Sequence, residues 1–257
     1  NPQELAFDDF GNLFAADNNC DKGDHARLVY VLDGGDSGWN MAYQSLPAPY
    51  LTGPWHAERL WHLPHPDQPA WIVPPVGKIG DGPSGFLHDP GIGLTDRERG
   101  QFLLCNYVGN GGVEAFGLKP SGAGFEIVDY HDVLKPLFAT DAEFGYDGKL
   151  YVSDFVKLEW DGPGGRGRVY TVFDPSRVRS PEIQQTARLV REGFRHRGQD
   201  ELLALLAHSD RRVRQRAQFA LAAQSPPPIE RLQRLALARG PAALLPRWHA
   251  VWCLAQI

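Results

Sequence analysis

"LAFDDFGNLFAAD" (residues 5–17) and "AEFGYDGKLYVSD" (142–154) align at an offset of 137. Phe7 falls on Phe144, Gly11 on Gly148, Leu13 on Leu150 and Asp17 on Asp154. Between them, "RGQFLLCN" (99–106) sets Gly100, Phe102 and Asn106 at the positions of Gly11, Leu13 and Asp17. Each copy reads as a strand, a tight turn carrying Asp, Asn or Gly, and a second strand of alternating apolar residues. The offset is about three units of roughly 40–50 residues, the size of one β-propeller blade. "RLVYVL" (27–32), "GVEAFGL" (112–118), "FEIVDY" (125–130) and "GRVYTVF" (167–173) supply further strands. Three to four blades fit into residues 1–177, fewer than most closed propellers hold, so the others are expected upstream of Asn1.

After Asp174-Pro175 the apolar period changes from 2 to 3.6. In "DELLALLAHSDRRVRQRAQFALAAQ" (200–224), Val213, Ala217, Ala220 and Leu221 share one helix face. "RQRAQFAL" (214–221) returns as "RWHAVWCL" (247–254) at an offset of 33, matching Ala217 with Ala250 and Leu221 with Leu254. Paired helices repeating in this way predict an α-solenoid of HEAT type over residues 178–257, following a partial propeller over 1–177. The chain opens on Asn1 in strand-like sequence and ends inside a helix at Ile257, so it reads as a piece of a longer protein.

A 42% apolar share with 22% charged residues is ordinary for a globular chain, and no apolar run reaches 18 residues. Cys20, Cys105 and Cys253 are far apart with no C-x-x-C, which excludes a zinc ribbon or a covalently attached haem within these residues. A Cys20–Cys105 disulfide and buried free thiols both fit, the thiols more simply. Residues 178–257 hold thirteen Arg against six acidic residues, about +7, which leaves about −12 for residues 1–177. An acidic first part argues against a nucleic-acid partner, and Arg spaced along helices reads as a solvated face.

"AADNNCDKGDHARLVY" (15–30) concentrates oxygen donors: Asp17, Asn18, Asn19, Asp21 and Asp24. Hard cations such as calcium take six to eight oxygens, and carboxylates held this close repel unless a cation or donors intervene. Asp17, Asn19, Asp21 and Asp24 are therefore candidate calcium ligands, with Gly23 letting the chain fold back. The same residues equally make Asx turns that bond their own backbone. His56, His62 and His65 lie with Trp55 and Trp61 in a Pro-rich stretch (41–80) without a steady period, where they read as loop packing or a sugar-binding rim. His88-Asp89 offers a base beside a carboxylate, but neighbours on a strand face opposite ways, which favours a structural role. No G-x-S-x-G, P-loop or Rossmann fingerprint supports a hydrolase, NTPase or NAD enzyme.

"NPQELAFDDFGNLFAADN", followed by Gly23-Asp24 and "DSGWN", resembles the glucose/sorbosone dehydrogenase family of six-bladed propellers. The matching residues are Asn1-Pro2-Gln3, Asp17-Asn18-Asn19-Cys20, Gly23-Asp24 and Gly38-Trp39, and "DGPSG" (81–85), "QFLLCN" (101–106) and "TDAEFGYDGKLYVSD" (140–154) look like the family's later blades. With its HEAT-like tail, the chain is similar to the large propeller–HEAT proteins called membrane-bound dehydrogenases in planctomycete-type bacteria, whose chains continue into a c-type cytochrome segment.

This resemblance implies a periplasmic or cell-surface oxidoreductase for a sugar-like alcohol or aldose. Its cofactors would be calcium and pyrroloquinoline quinone (PQQ), its electron acceptor a c-type haem beyond this chain, and its HEAT-like repeats a platform for a protein partner. It puts the cofactor near Asn1, Asn19 and Cys20. The family's His base sits on an earlier blade, so no catalytic residue is assigned here. Asn110, Phe138 and Thr140 stand where the family has the Arg and Lys that hold the quinone's carboxylates, and Arg166 and Arg168 are either substitutes or a solvated edge. Those departures carry the alternative: a non-catalytic propeller that binds glycans or proteins on a HEAT scaffold.

Overall fold

A computed structural model of the chain describes residues 2–18, 26–37, 73–108, 111–156 and 167–257. Among them, strands come first and helices follow after residue 180. The strands are β1 (Pro2–Phe7), β2 (Leu13–Asp17), β3 (Ala26–Val31), β4 (Gly77–Ile79), β5 (Pro83–His88), β6 (Phe102–Asn106), β7 (Gly112–Ser121), β8 (Gly124–Leu134), β9 (Ala139–Phe144), β10 (Leu150–Asp154) and β11 (Arg168–Val172). They form three sheets in the orders β1-β2-β3-β4, β5-β6-β7-β8 and β11-β10-β9. In the two four-stranded sheets sequential strands pair antiparallel.

Each aligned motif of the sequence becomes the second strand of a sheet. β2, β6 and β10 are all five residues long and end at Asp17, Asn106 and Asp154. Two of the turns leading into them repeat bond for bond. Asp8 N–H donates to Asn12 O (3.0 Å) and Gly11 N–H to Asp8 O (3.4 Å). At the offset of 137, Gly145 N–H donates to Lys149 O (2.8 Å) and Gly148 N–H to Gly145 O (3.4 Å). Gly11, Gly100 and Gly148 have φ of 83°, 70° and 75°, a left-handed conformation that glycine adopts without steric cost.

The first strands of the three sheets lie side by side. Glu4 Oε2 on β1 accepts from Phe86 N on β5 (2.6 Å), and Ser84 Oγ on β5 donates to Ala139 O on β9 (2.7 Å). A Cβ on Gly85 would come 2.7 Å from Asp141 Cα, so this glycine sets the spacing of β5 and β9. Between the first and second sheets, Phe14, Phe86, Phe102 and Phe116 are buried. Neighbouring rings sit 5.2–6.2 Å apart. Burying each ring contributes roughly 1.5–3 kcal/mol.

The chain divides into two compact units. The first takes Asn1–His88, Gln101–Glu143 and Tyr151–Tyr170, and the second Asp89–Gly100, Phe144–Leu150 and Thr171–Ile257. The second unit holds α1 (Pro181–Glu192), α2 (Gln199–Leu205), α3 (Arg211–Ala222), α4 (Ile229–Ala236) and α5 (Leu244–Gln256). Ser180 caps α1 by accepting from Ile183 N, Pro181 fits its first position, and Gly193 follows its last turn. Asp210 caps α3 through Arg212 N (2.8 Å). α2 packs on α3, α4 on α5, and α3 on α5.

The helix face expected from the 3.6 period is the one that packs: Val213, Ala217 and Leu221 are fully buried and Ala220 is partly so. Ala250, the residue aligned with Ala217, is also fully buried. Within this unit Arg212 donates to the carbonyls of Phe144 and Gly145 and lies 4.3 Å from the Tyr146 ring centre, which ties the 144–150 turn to α3. No helix among the described residues is long and apolar enough to cross a membrane.

Candidate functional site

Strand direction decides where the polar residues of the first unit gather. Residues 17, 106 and 154 are all C-terminal ends of second strands. These residues are 4%, 3% and 6% exposed, so each side chain needs partners. Asp17 Oδ2 accepts from Arg27 Nε on β3 (2.7 Å), and Arg27 also donates to Ser37 O (2.8 Å). Asn106 Nδ2 donates to Glu114 Oε2 on β7 (2.7 Å). Asp154 Oδ1 accepts from Phe138 N (3.0 Å) and Val156 N (2.9 Å). The recurring strand-end residue is thus a latch to the next strand or loop.

Glu114 is the centre of a polar network in this unit. Its Oε1 accepts from Lys135 Nζ (2.9 Å), and its Oε2 accepts from Asn106 and from the Tyr130 hydroxyl. Tyr130 in turn accepts from Gly80 N (3.0 Å), and Lys135 also pairs with Asp132 (2.8 Å). Burial and the bond to Glu114 push the Tyr130 hydroxyl above its ordinary pKa. Burial works against the charge of Lys135, but its bonds to Asp132 and Glu114 outweigh burial and raise it. The phenol is therefore held as a neutral donor and the amine as a cation. Nothing in the repeat alignment points to Glu114; its signal is one carboxylate inside the apolar run "GVEAFGL".

No family model matches the chain, and no curated protein matches it. Among solved structures, it is similar to a Thermus thermophilus protein provisionally named an oxidoreductase (glucose dehydrogenase). The two share 18% identity and a TM-score of 0.42 over 66% of this chain and 44% of that one. The chain thus spans less than half the length of this neighbour.

Of the residues that the sequence nominates, Asn1, Asn19, Cys20, Asp21, Asp24, Asn110 and Arg166 lie outside the described residues, as do the His/Trp residues of the 41–80 stretch from Trp55 to His65. Asp17 is described, and its carboxylate meets Arg27. Among the described residues no three His, Cys, Asp or Glu side chains are arranged to hold a metal ion. Cys105 and Cys253 are buried free thiols. Burial raises both above the ordinary thiol value, Cys253 to about 11, so neither is a ready nucleophile.

His88 and Asp89 take separate structural roles. The His88 ring packs edge-on against Phe102 (4.7 Å), while Asp89 Oδ2 accepts from Gly91 N and Gly100 N. Thr140 Oγ1 is bonded to Ser153 Oγ (2.7 Å), and Phe138 contributes an apolar ring. Arg168 is exposed on the outer strand β11 and donates to Tyr170 Oη (3.2 Å), so it occupies a solvated edge. These three positions supply no buried cation to a ligand with several carboxylates, and the described residues do not fit PQQ.

Proposed function

We propose that the first unit is part of a six-bladed propeller of the glucose/sorbosone dehydrogenase type, and that the parent protein oxidises a sugar-like alcohol or aldose. The observation that carries this reading is the repeat itself. The motif beginning Asn1-Pro2-Gln3 leads into β2, and its strand–turn–strand unit recurs at β9–β10 with matching turn bonds and a matching buried strand end. In this reading the helices continue as a HEAT-like solenoid that offers a protein partner its surface, electrons pass to a c-type cytochrome segment outside this chain, and the protein works in the periplasm or at the cell surface.

Calcium is assigned to the loop of Asp17, Asn19, Asp21 and Asp24, with Asn1, Asn19 and Cys20 as the cofactor's neighbours. Arg27 competes for Asp17, so a calcium ion here relies on Asn19, Asp21 and Asp24 more than on Asp17. Phe138, Thr140 and Arg168 do not meet the carboxylates of PQQ. Sugar oxidation in this reading needs a base for the hydroxyl proton and an acceptor for the hydride, and neither is assigned among the described residues. The experiment is retention of PQQ by the full-length protein after gel filtration, in calcium and in chelator. Calcium-dependent retention supports the reading, and no retention in either buffer removes the quinone from it.

The same missing cations favour a second reading: a propeller that binds glycans or protein partners without catalysis. A His at the family's base position in the upstream blades separates the two, being required by the first and not by the second.

A further inference from the structure

The third sheet is one strand short. Two of the sheets have four strands and end at β4 and β8, while the order β11-β10-β9 stops at β11. β11 takes the place that β3 and β7 hold in their sheets, third from the inner strand. The described residues after β11 supply no fourth strand. Asp174 turns the chain there, its carboxylate accepting from Ser176 N (2.8 Å) and its carbonyl from Arg177 N (3.1 Å), and Ser180 then caps α1.

The outer edge of β11 is open. Four of its five residues are exposed, and its backbone groups bond no described residue outside the sheet. The other two outer strands are protected. β4 has only three residues, one of them Lys78. β8 breaks its ladder with a bulge at Asp129-Tyr130, where Asp129 has φ of 49°, and it carries Glu126, Asp129 and Asp132. Short length, lysine, bulges and charge are the devices that keep a sheet edge from pairing. "RVYTV" (168–172) has only Arg168 among them, and its β-branched and aromatic residues suit a strand with neighbours on both sides.

The edge itself selects the occupant. A row of unpaired N–H and C=O groups is met along its length by another extended chain. We propose that a strand from the part of the parent chain preceding Asn1 pairs with β11 and completes the third sheet. It runs antiparallel to β11, as β4 does to β3 and β8 to β7. The inference rests on the propeller reading, in which further blades precede β1, and adds the contact that closes the ring. A segment of the same chain holds this place at a high effective concentration, which a separate protein does not.

Two measurements on the full-length parent protein test it. The first is hydrogen exchange of the β11 amides. Those facing away from β10 should exchange at least about a hundredfold more slowly than the amides of the exposed Asp33-Gly34 turn. Exchange as fast as in that turn means an open edge and overturns the proposal. The second replaces Val169, which is 70% exposed, with the photo-cross-linker p-benzoylphenylalanine. A cross-link within one chain to a peptide upstream of Asn1 is expected. A cross-link between two chains assigns the edge to a second copy, and that result, a downstream peptide or no cross-link overturns the proposal. The same probe at Phe7, exposed on β1, reads the propeller separately. Its cross-link to an upstream peptide beside an open β11 keeps the further blades and removes only the closing strand. Neither measurement uses turnover, so a failed dye assay leaves the strand standing.

Discussion

Arg27 Nε stands 2.7 Å from Asp17 Oδ2, with both side chains nearly excluded from solvent. The antiparallel register sets them opposite each other, Asp17 on β2 against Arg27 on β3. Removing one partner leaves the other buried and uncompensated, a loss of about 3–5 kcal/mol. Arg27→Met is expected to lower stability by that order in urea melts. Adding Asp17→Asn to it should recover part of the loss, because no unpaired charge remains. If Asp17 also faces a calcium site, calcium will raise the melting temperature of Arg27→Met more than that of wild type.

The turn glycines separate strain from crowding. Gly100 and Gly148 share a left-handed φ, but a Cβ on Gly100 meets nothing within 4 Å while one on Gly148 comes 2.3 Å from Ile183 Cδ1. Gly100→Ala is expected to cost roughly 1–2 kcal/mol from backbone strain alone. Gly148→Ala adds overpacking, typically about 1–3 kcal/mol more. Chemical denaturation of the two variants side by side reads the difference, and equal losses would show that Ile183 yields freely.

These glycines also show what the sequence makes legible. Gly11, Gly100 and Gly148 announce the turns because their backbone conformation excludes most other residues, and the alternating apolar residues around them mark the strands. The helix face of Val213, Ala217 and Leu221 is legible for the same reason, a period imposed by geometry. Partner choice across a sheet is not. Whether Asp17 faces Arg27, or Asn106 faces Glu114, depends on register and on the next strand's direction, which one sequence does not display. The charge on Asp17 thus reads as a demand for calcium, while its pairing with an arginine ten residues on is not displayed.

Acid should loosen the helical unit through His249. This imidazole accepts from Arg214 Nε at Nε2 (3.2 Å) and bonds Gln218 Oε1 through Nδ1 (2.8 Å). Burial, then Arg214 and Arg211, lower its pKa from 6.5 to about 3. Between those values the unfolded chain binds a proton that the folded one refuses, so stability falls as pH drops through this window and is fully present above it. Helical circular dichroism during urea unfolding should show that slope. His249→Gln, which keeps an acceptor for Arg214 but cannot titrate, should flatten it.

Glu4 behaves in the opposite sense. Burial raises its pKa above 4.5, the bond from Phe86 N opposes the rise, and the nearby carboxylates of Asp141 and Glu143 add to it. The folded state then holds a proton that the unfolded chain releases, so stability is lost as pH rises through the folded value. Glu4→Gln keeps the acceptor for Phe86 N and removes the charge. Its melting temperature should exceed that of wild type at neutral pH, and the gain should vanish below the ordinary glutamate value.

The dehydrogenase reading is tested most directly by turnover. Full-length protein is mixed with an artificial electron-acceptor dye and a panel of aldoses and sugar alcohols, with and without added calcium and PQQ. The account predicts dye reduction with at least one sugar above a sugar-free control. No reduction above that control with any sugar under any of these conditions, from protein whose melts show it folded, would contradict it and leave the binding-module reading.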